Sequence, residues 1–588
     1  MADLASQPTS IQSIYSWYKE DKLYVNRRYQ RKLVWTQDEK QRLIESILKR
    51  YPIPALFVAE REEAGTYEII DGLQRLHAIV SFIETSFPDL DGQFFNLEHF
   101  PTAKSRADSG GFDPTQSESL IDQGQVTTIL DYTLALSVMR NATEDEINDV
   151  FDRINTYGHR LSDQERRQAG VQNEFSEVVR HIACEIRGDD SADVLTLSLM
   201  PSVSVDLPMS KHGYEVRADE VFWVQQGILR STDLRDSEDE QCIADIVASI
   251  VGSQPIPRSK DALDSVYADG SEENRRILSS LDVYGPERIS EEFKFCVEEI
   301  QKICSQGGEE KLRDLIFEKR TTNPFPSVFA VLFIALHETF VKDKKVISDY
   351  ECAKKSLNNL VSRVESGRKA GSPSERRKNI ATAKALLDDC LIDADGTQHI
   401  YGSQSTVDIQ NALRRSEAEH SRYELKQGLL SLSDDRKRDG AVVDKVIKTI
   451  CAIANNGPSC SGQIIIGVAD KEADKKRISE IDGVEGKRIG RKYVVGVKRE
   501  ADVLGITIEQ YYSQWKEAIR NSGLSGSVRD SVLSNMDYNE FYGLGVITIT
   551  IPPQCEMSYV GEETFLRSGD DTLKAETAQQ IASIAKRF

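Results

Sequence analysis

Over the first 100 residues, apolar positions switch between strand-like and helix-like spacing. Thr36 and Glu39 stand at capping-box spacing, and Leu43, Ile44, Ile47 and Leu48 then share one helical face that must end before Tyr51-Pro52. Ala55–Ala59 and Tyr67–Ile70 read as strands. Asp71-Gly72 turns directly into a helix whose buried face is Leu76, Ile79, Val80 and Ile83. Residues 100–124, rich in Gly, Ser and Asp, predict a loop, Tyr132–Met139 a strand or short buried segment, and Thr143 with Glu146 a further capped helix. From 160 to about 390 the pattern is helical, and the apolar run Phe329–Leu336 predicts a helix buried on all sides.

The polar stretch DADGTQHIYGSQS at 393–405 has two glycines and no periodicity, and marks the main boundary. Beyond it, Ser405 with Asp408 opens a helix to about His420, followed by a strand at Tyr423–Lys426, a helix at Ala441–Ala454 and a strand at Gln463–Val468. Val546–Ile551 alternates with period two and stops at Pro552-Pro553, as an edge or terminating strand does. A chain of 588 residues exceeds one core, since cores stop growing near roughly 250–300 residues. The expectation is a multidomain α+β protein with an all-helical middle and domains at 1–190, 191–395 and 405–588.

Composition narrows the class. The N-terminus lacks a basic start and apolar core, and the longest apolar run, Val328–Leu336, is far short of the roughly 20 residues of a membrane span, so a cytoplasmic protein without membrane contact is expected. Nine cysteines without a Cys-x-x-Cys pair argue against a zinc site and a disulfide framework. The net charge is −21, but from residue 401 onward 26 Lys and Arg face 27 Asp and Glu, which leaves about −20 on the first 400 residues. The C-terminal part is therefore the better suited to a phosphate backbone.

The DGLQR turn at 71–75 places a strand end, a glycine and a helix N-terminus together. Free amides and the helix dipole there favour an anion, Gly72 lets backbone approach it, and Arg75 offers a planar fork of donors. Plain helix capping by Asp71 is the alternative. Read with YQRKLVW at 29–35 and FDRINTYGHRLSDQE at 151–165, the turn resembles the N-terminal domain of the GmrSD family of modification-dependent restriction enzymes. Gln30, Arg31 and Trp35 match its first motif, Asp71, Gly72, Gln74 and Arg75 its second, and Phe151, Arg153, Asn155, Gly158, Leu161 and Glu165 its third; Leu73 departs from the family's glutamine. The resemblance implies a ParB/sulfiredoxin-like α+β fold that binds a nucleoside triphosphate, GTP or UTP being candidates, with Arg75 on the phosphates.

In the C-terminal part, Glu419 and Glu424 are five residues apart, which on one helix separates them by about 140°, so they converge only if the chain breaks between them. A helix ending near Glu419 and a strand carrying Glu424 supply that break, with Lys426 on the same strand face as Glu424 and Asp470 at the end of a neighbouring strand. Such carboxylates suit Mg²⁺ or Mn²⁺, hard cations that activate water beside a phosphodiester. HSRYELKQ (420–427), AIANNG (452–457), QIIIGVAD (463–470) and YVGEETFLRSGDDTLKA (559–575) resemble the AlbA-like domain of bacterial regulators and Schlafen proteins. In nuclease members of that group the catalytic acids fall where Glu419, Glu424 and Asp470 stand here. The departures are Leu425 for Phe, an enlarged PSCS loop and an insertion at about 471–540. Lys475, Lys476, Arg477, Lys487, Arg488, Arg491 and Lys492, with Lys498 and Arg499, make the insertion basic, as a nucleic-acid clamp or a solvated loop would be.

Together these resemblances imply an anti-phage, restriction-like effector in which nucleotide bound at Arg31, Arg75, Arg153 and Asn155 governs metal-dependent cleavage of phage DNA, or of RNA including transfer RNA. A homo-oligomer is left open. The alternatives are a non-cleaving nucleotide-responsive sensor of nucleic acid and an NTPase whose C-terminal domain only binds.

Overall fold

The structure, a computed structural model, describes residues 3–27, 30, 32–61, 65–143, 146–147, 150–151, 153–154, 162–169, 173–189, 194–204, 215–365, 370–394, 406–417, 420–539 and 541–588. It divides into two compact units, Met1–Tyr401 and Gly402–Phe588, the division falling inside the polar stretch 393–405. No helix among the described residues is long and apolar enough to cross a membrane.

The first unit is built on a six-stranded mixed sheet in the order Asp3–Ser10, Thr133–Arg140, Leu56–Glu60, Tyr67–Asp71, Leu23–Asn26, Val194–Thr196. Thr133–Arg140 pairs antiparallel with the first strand and parallel with Leu56–Glu60. Helices Ile11–Lys19, Gln37–Leu48, Leu73–Ile83 and Gln123–Leu130 contribute buried side chains to the core on this sheet. The capping box at Thr36 and Glu39 forms as its spacing predicts, each residue's side chain accepting from the other's backbone amide. Residues 100–124 are not one loop, because Pro101–Asp108 is a helix with proline in its first turn. Only Ala103 of this helix is buried, so no apolar stripe announces it; its anchor is Arg106, 3.0 Å from the Glu84 carboxylate and over the Tyr18 ring.

After this sheet the unit is helical, with short strand pairs at Ser202–Ser204 with Glu215–Arg217 and at Lys345–Ile347 with Leu391–Asp393. Pro326–His337 is buried at every residue from Phe329 onward, as its unbroken apolar run requires. Cys352 and Cys390 form a disulfide, which the absence of a paired-cysteine motif did not foretell.

The second unit has a four-stranded sheet in the order Tyr423–Lys426, Gly462–Ile466, Val546–Ile551, Met536–Asn539, the first pair parallel and the others antiparallel. Helices Gly440–Ala454 and Ile508–Arg520 pack in one core with it through Ile450, Ile453, Tyr511 and Trp515. Val546–Ile551 is an inner strand and not an edge. Its polar alternation misleads because Thr548 is fully buried and accepts a hydrogen bond from the Asn539 amide at 3.1 Å. Helix Thr406–Arg415 stops short of His420, leaving Ser416 and Glu417 in a turn.

Gly467, at φ +109°, breaks the strand expected over Gln463–Val468. Val468–Ala469 leaves the four-stranded sheet and pairs with Lys492–Val494, which also pairs with Lys487–Ile489 in a small three-stranded sheet. The backbone returns to its starting point, since the amides of Val495 and Gly496 both donate to the Gly467 carbonyl, at 2.8 and 2.9 Å. The basic insertion is thus folded structure, beginning with helix Glu472–Asp482 and this hairpin and ending in a strand of the four-stranded sheet.

Candidate functional site

In the first unit the strand Tyr67–Asp71 ends at the DGLQR turn. Gly72 takes φ +100°, and a Cβ there would overlap Leu56 Cδ2. Helix Leu73–Ile83 starts with no side-chain cap. Asp71 does not cap it; its carboxylate accepts from Arg75 Nη2 at 2.7 Å, while Arg75 Nη1 donates to the carbonyls of Pro54 (2.5 Å) and Ala55 (3.2 Å). Both Arg75 Nη groups are thereby engaged, the pair with Asp71 standing beside an uncapped helix start whose free amides favour an anion.

The two motif glutamines act on the backbone. Gln30 donates to the carbonyls of Ile69 and Ile70, and Gln74 donates to the Lys32 carbonyl at 2.6 Å while accepting from the amides of Val34 and Trp35. They fasten the segment around Trp35 to the strand end and the helix, so Gln74 positions the site, its Oε1 taken by two amides and one Nε2 N–H by the Lys32 carbonyl. Arg153 is exposed, whereas its neighbours Phe151 and Ile154 line the cavity described next. Arg31 and Asn155 lie outside the described residues.

Around the turn is a cavity of about 620 Å³, within the roughly 300–1,000 Å³ of small-molecule sites. Gln30, Trp35, Asp71, Gly72, Gln74 and Arg75 all line it. So do cations that the motifs did not indicate: Arg27, Lys32, Arg42, Arg180 and Arg187. Arg180, Cys184 and Arg187 are spaced i, i+4, i+7 on helix Glu174–Arg187 and so share one face, a signal present in the sequence but read there only as helix. At the floor, Arg27 and Arg187 bind Asp189 at 2.9 and 3.0 Å, and Arg187 also binds Asp239 and Glu240.

In the second unit Glu424 and Lys426 do share a strand face, with the lysine ammonium against the carboxylate. Glu424 is buried and its other oxygen accepts from Arg567 at 2.8 Å; Lys445 stands at 3.8 Å. Arg567, buried on the hairpin Phe565–Ser568/Asp571–Lys574, also donates to the carbonyls of His420 and Tyr423 and to Thr572 Oγ1. Asp470 is half-exposed and bonded to Lys492 at 2.8 Å. Because of the break at Gly467, its strand belongs to the other sheet and is not the sheet neighbour of Glu424.

Glu419 lies outside the described residues, among which no group of three or more His, Cys, Asp or Glu side chains is placed to hold a metal ion. Two groups beside this region were not singled out by sequence. Glu417 accepts from the Arg491 amide at 2.6 Å, and burial raises its carboxyl above the usual range against the pull of Arg491. Burial lowers the His420 imidazole pKa, with Asp570 opposing and Lys492 and Arg567 adding to the shift.

The basic side chains of the insertion are mostly engaged. Lys475 pairs with Glu485, Lys476 with Glu472, Arg477 with Asp434 and Glu480, and Arg491 with Glu417, while Arg488 donates to the Gly490 carbonyl and Lys487 lies over the Tyr542 ring.

These features define a two-unit mixed α/β chain, one unit holding a cation-rich cavity at a helix start and the other a buried Glu–Arg pair with a half-buried Lys on a sheet edge. Residues 11–171 match the family model of the GmrSD restriction endonuclease N-terminal domain, and residues 419–576 match that of Schlafen, AlbA_2. The chain therefore joins a GmrSD-type N-terminal region to a Schlafen AlbA-type C-terminal region. No curated protein matches it.

Proposed function

We propose that this protein is a nuclease of a restriction-like defence system, cutting DNA or RNA under the control of a nucleoside triphosphate bound in the N-terminal cavity. What carries the reading is the joining, on one chain, of a match to the N-terminal domain of a restriction endonuclease with a cavity that sets Arg75 beside an uncapped helix start. Arg75 would take phosphate oxygens in exchange for the Asp71 carboxylate it holds. Arg42, Arg180 and, outside the described residues, Arg31 and Asn155 would complete the ligand shell, and Trp35 with Phe151 offers apolar wall to a base. GTP and UTP are the candidates named by the family resemblance.

For cleavage we propose Glu424 and Asp470 with Glu419, assisted by Lys426, on the C-terminal unit. Mg²⁺ or Mn²⁺ would supply a water of lowered pKa there. The described carboxylates do not fit such an ion as they stand, because Glu424 is neutralised by Arg567 and Lys426 and Asp470 by Lys492. That observation favours a second reading, in which the C-terminal unit binds nucleic acid without cutting it, the cations Lys475 to Lys492 exchanging their acidic neighbours for phosphates.

Purified protein incubated with plasmid DNA, phage genomic DNA and transfer RNA, with Mg²⁺ or Mn²⁺ and each nucleoside triphosphate, separates the two. Nucleotide-dependent strand scission supports the first reading. Tight binding with no scission under any condition supports the second.

A further inference from the structure

Six ionised side chains meet beneath the N-terminal cavity, all of them buried: Arg27, Lys32, Arg187, Asp189, Asp239 and Glu240. Arg187 is the hub, 3.0 Å from Asp189, 2.6 Å from Asp239 and 2.7 Å from Glu240. Arg27 shares Asp189, and Lys32 shares Glu240 at 3.2 Å and Asp239 at 3.7 Å while donating to Ser237 Oγ at 2.9 Å. Three cations balance three acids, so each buried charge has an opposite charge to offset its desolvation.

The network joins parts far apart in the chain. Arg27 precedes and Lys32 lies within the motif segment 29–35 that the two glutamines fasten, Arg187 and Asp189 close helix Glu174–Arg187, and Asp239 and Glu240 lie in the first turn of helix Glu238–Val251. It is also open to the cavity, since Arg27, Lys32, Arg187, Ser237 and Glu240 line it.

An anionic ligand reaching this floor needs the partners Glu240 already holds, the Lys32 ammonium and the Arg187 guanidinium. A phosphate that draws either cation toward itself leaves a buried carboxylate short of positive charge, which the first turn of Glu238–Val251 can relieve only by moving. We propose that Glu240 is a built-in competitor for the anionic ligand of this cavity, so that triphosphate binding opposes the docking of the first turn of helix Glu238–Val251 onto Lys32 and helix Glu174–Arg187. The inference deepens the nucleotide reading and rests on it.

The test uses the full chain, with inorganic tripolyphosphate and the four nucleoside triphosphates as probes in titration calorimetry, and with amide hydrogen exchange over residues 238–251. Glu240→Gln keeps side-chain size and a hydrogen-bond acceptor but gives up the competing charge. It is expected to bind the preferred triphosphate roughly 5- to 10-fold more tightly than wild type, a normal size for coupling between sites. Ligand should speed exchange of the helical amides from Gln241 to Asp245 in wild type and leave it unchanged in Glu240→Gln. Asp239→Asn, which removes a charge from the same network behind the cavity wall, should shift affinity the same way if Glu240→Gln does not fold. Wild type that binds a triphosphate while neither folded variant binds it more tightly overturns the competitor and leaves the nucleotide reading standing. Wild type and variants that bind none of the probes overturn both.

Discussion

Replacing Glu424 by Gln tests whether that side chain is a strut or a metal ligand. The carboxylate is buried and bonded to Arg567 and Lys426, so Glu424→Gln exchanges two charge-assisted bonds for at most one neutral acceptor and sets an amide N–H₂ against an ammonium. Arg567 keeps the His420 and Tyr423 carbonyls and Thr572, so it is not stripped of partners. Hydrogen bonds to charged groups contribute about 1.5–3 kcal/mol each, and breaking a buried pair outright costs about 3–5 kcal/mol. With the remaining partners in place, a loss of roughly 2–3 kcal/mol is expected, which lowers the Tm of a unit this size by roughly 5–10 °C. Asp470→Asn breaks a half-exposed pair with Lys492, costs less than about 1 kcal/mol and should leave the Tm nearly unmoved. Calorimetric melts of both variants beside nuclease assays separate the roles. Cleavage abolished in Asp470→Asn at an unshifted Tm is chemistry, whereas cleavage abolished in Glu424→Gln alone, with a lowered Tm, is structure. A Glu424→Gln Tm within about 2 °C of wild type refutes the strut.

Gly72→Ala should cost roughly 2–4 kcal/mol in denaturant unfolding, combining a left-handed φ with overlap against Leu56, and should abolish nucleotide binding. Arg75→Ala should abolish nucleotide affinity in calorimetry with a stability loss near roughly 1–2 kcal/mol from its bonds to Asp71 and two carbonyls; unchanged affinity in the folded variant removes it from the site. Charge reversal at Lys475, Lys476 and Arg477 should reduce the log–log salt dependence of nucleic-acid binding by about 0.9 for each duplex phosphate these cations no longer neutralise, and an unchanged slope means they stay with their acidic neighbours. Burial raises the carboxyls of Asp189 and Glu240, but Arg187 and Arg27 outweigh it at Asp189 and Lys32 and Arg187 at Glu240, so both sit below their ordinary values. Such a shift stabilises the fold above the ordinary carboxylate range near about pH 4, and that stability falls away as pH drops through the folded values; melts between about pH 6 and pH 3 should show an acid limb that Asp189→Asn flattens.

The elements legible from sequence were those whose signal is local. Capping at Thr36, the turn at Gly72 and the all-apolar helix through Phe329 each depend on residues within a few positions, and each forms as expected. Pro101–Asp108 was hidden because its anchor, Arg106 on Glu84 and Tyr18, lies far away in sequence. The inner position of Val546–Ile551 was hidden for a different reason: buried Thr548 is satisfied across the strand pair by Asn539, a contact that period-two alternation along one strand does not show. At the cavity, motif residues located the turn, yet Arg42, Arg180 and Arg187 reach it from helices that carry no motif. Motif spacing suggests a ligand for every motif side chain, whereas Gln30 and Gln74 hold backbone and Glu424 holds Arg567.

Gly467 has a bearing on how the C-terminal unit can vary. The carbonyl from which the chain departs receives two amides of the returning chain, and Gly496 and Gly545 crowd against the same point, with the Gly467 Cβ position 3.2 Å from one and 3.3 Å from the other's carbonyl oxygen. The excursion from Val468 to Val495 is in effect a cassette with a pinched neck. Its length and charge can change without altering the register of the sheet that carries Glu424, because closing a loop whose ends already touch adds only slowly to the entropy cost as the loop grows. Three glycines at the neck, and not the many basic residues beyond it, are then what lineages with differently sized excursions would have to keep.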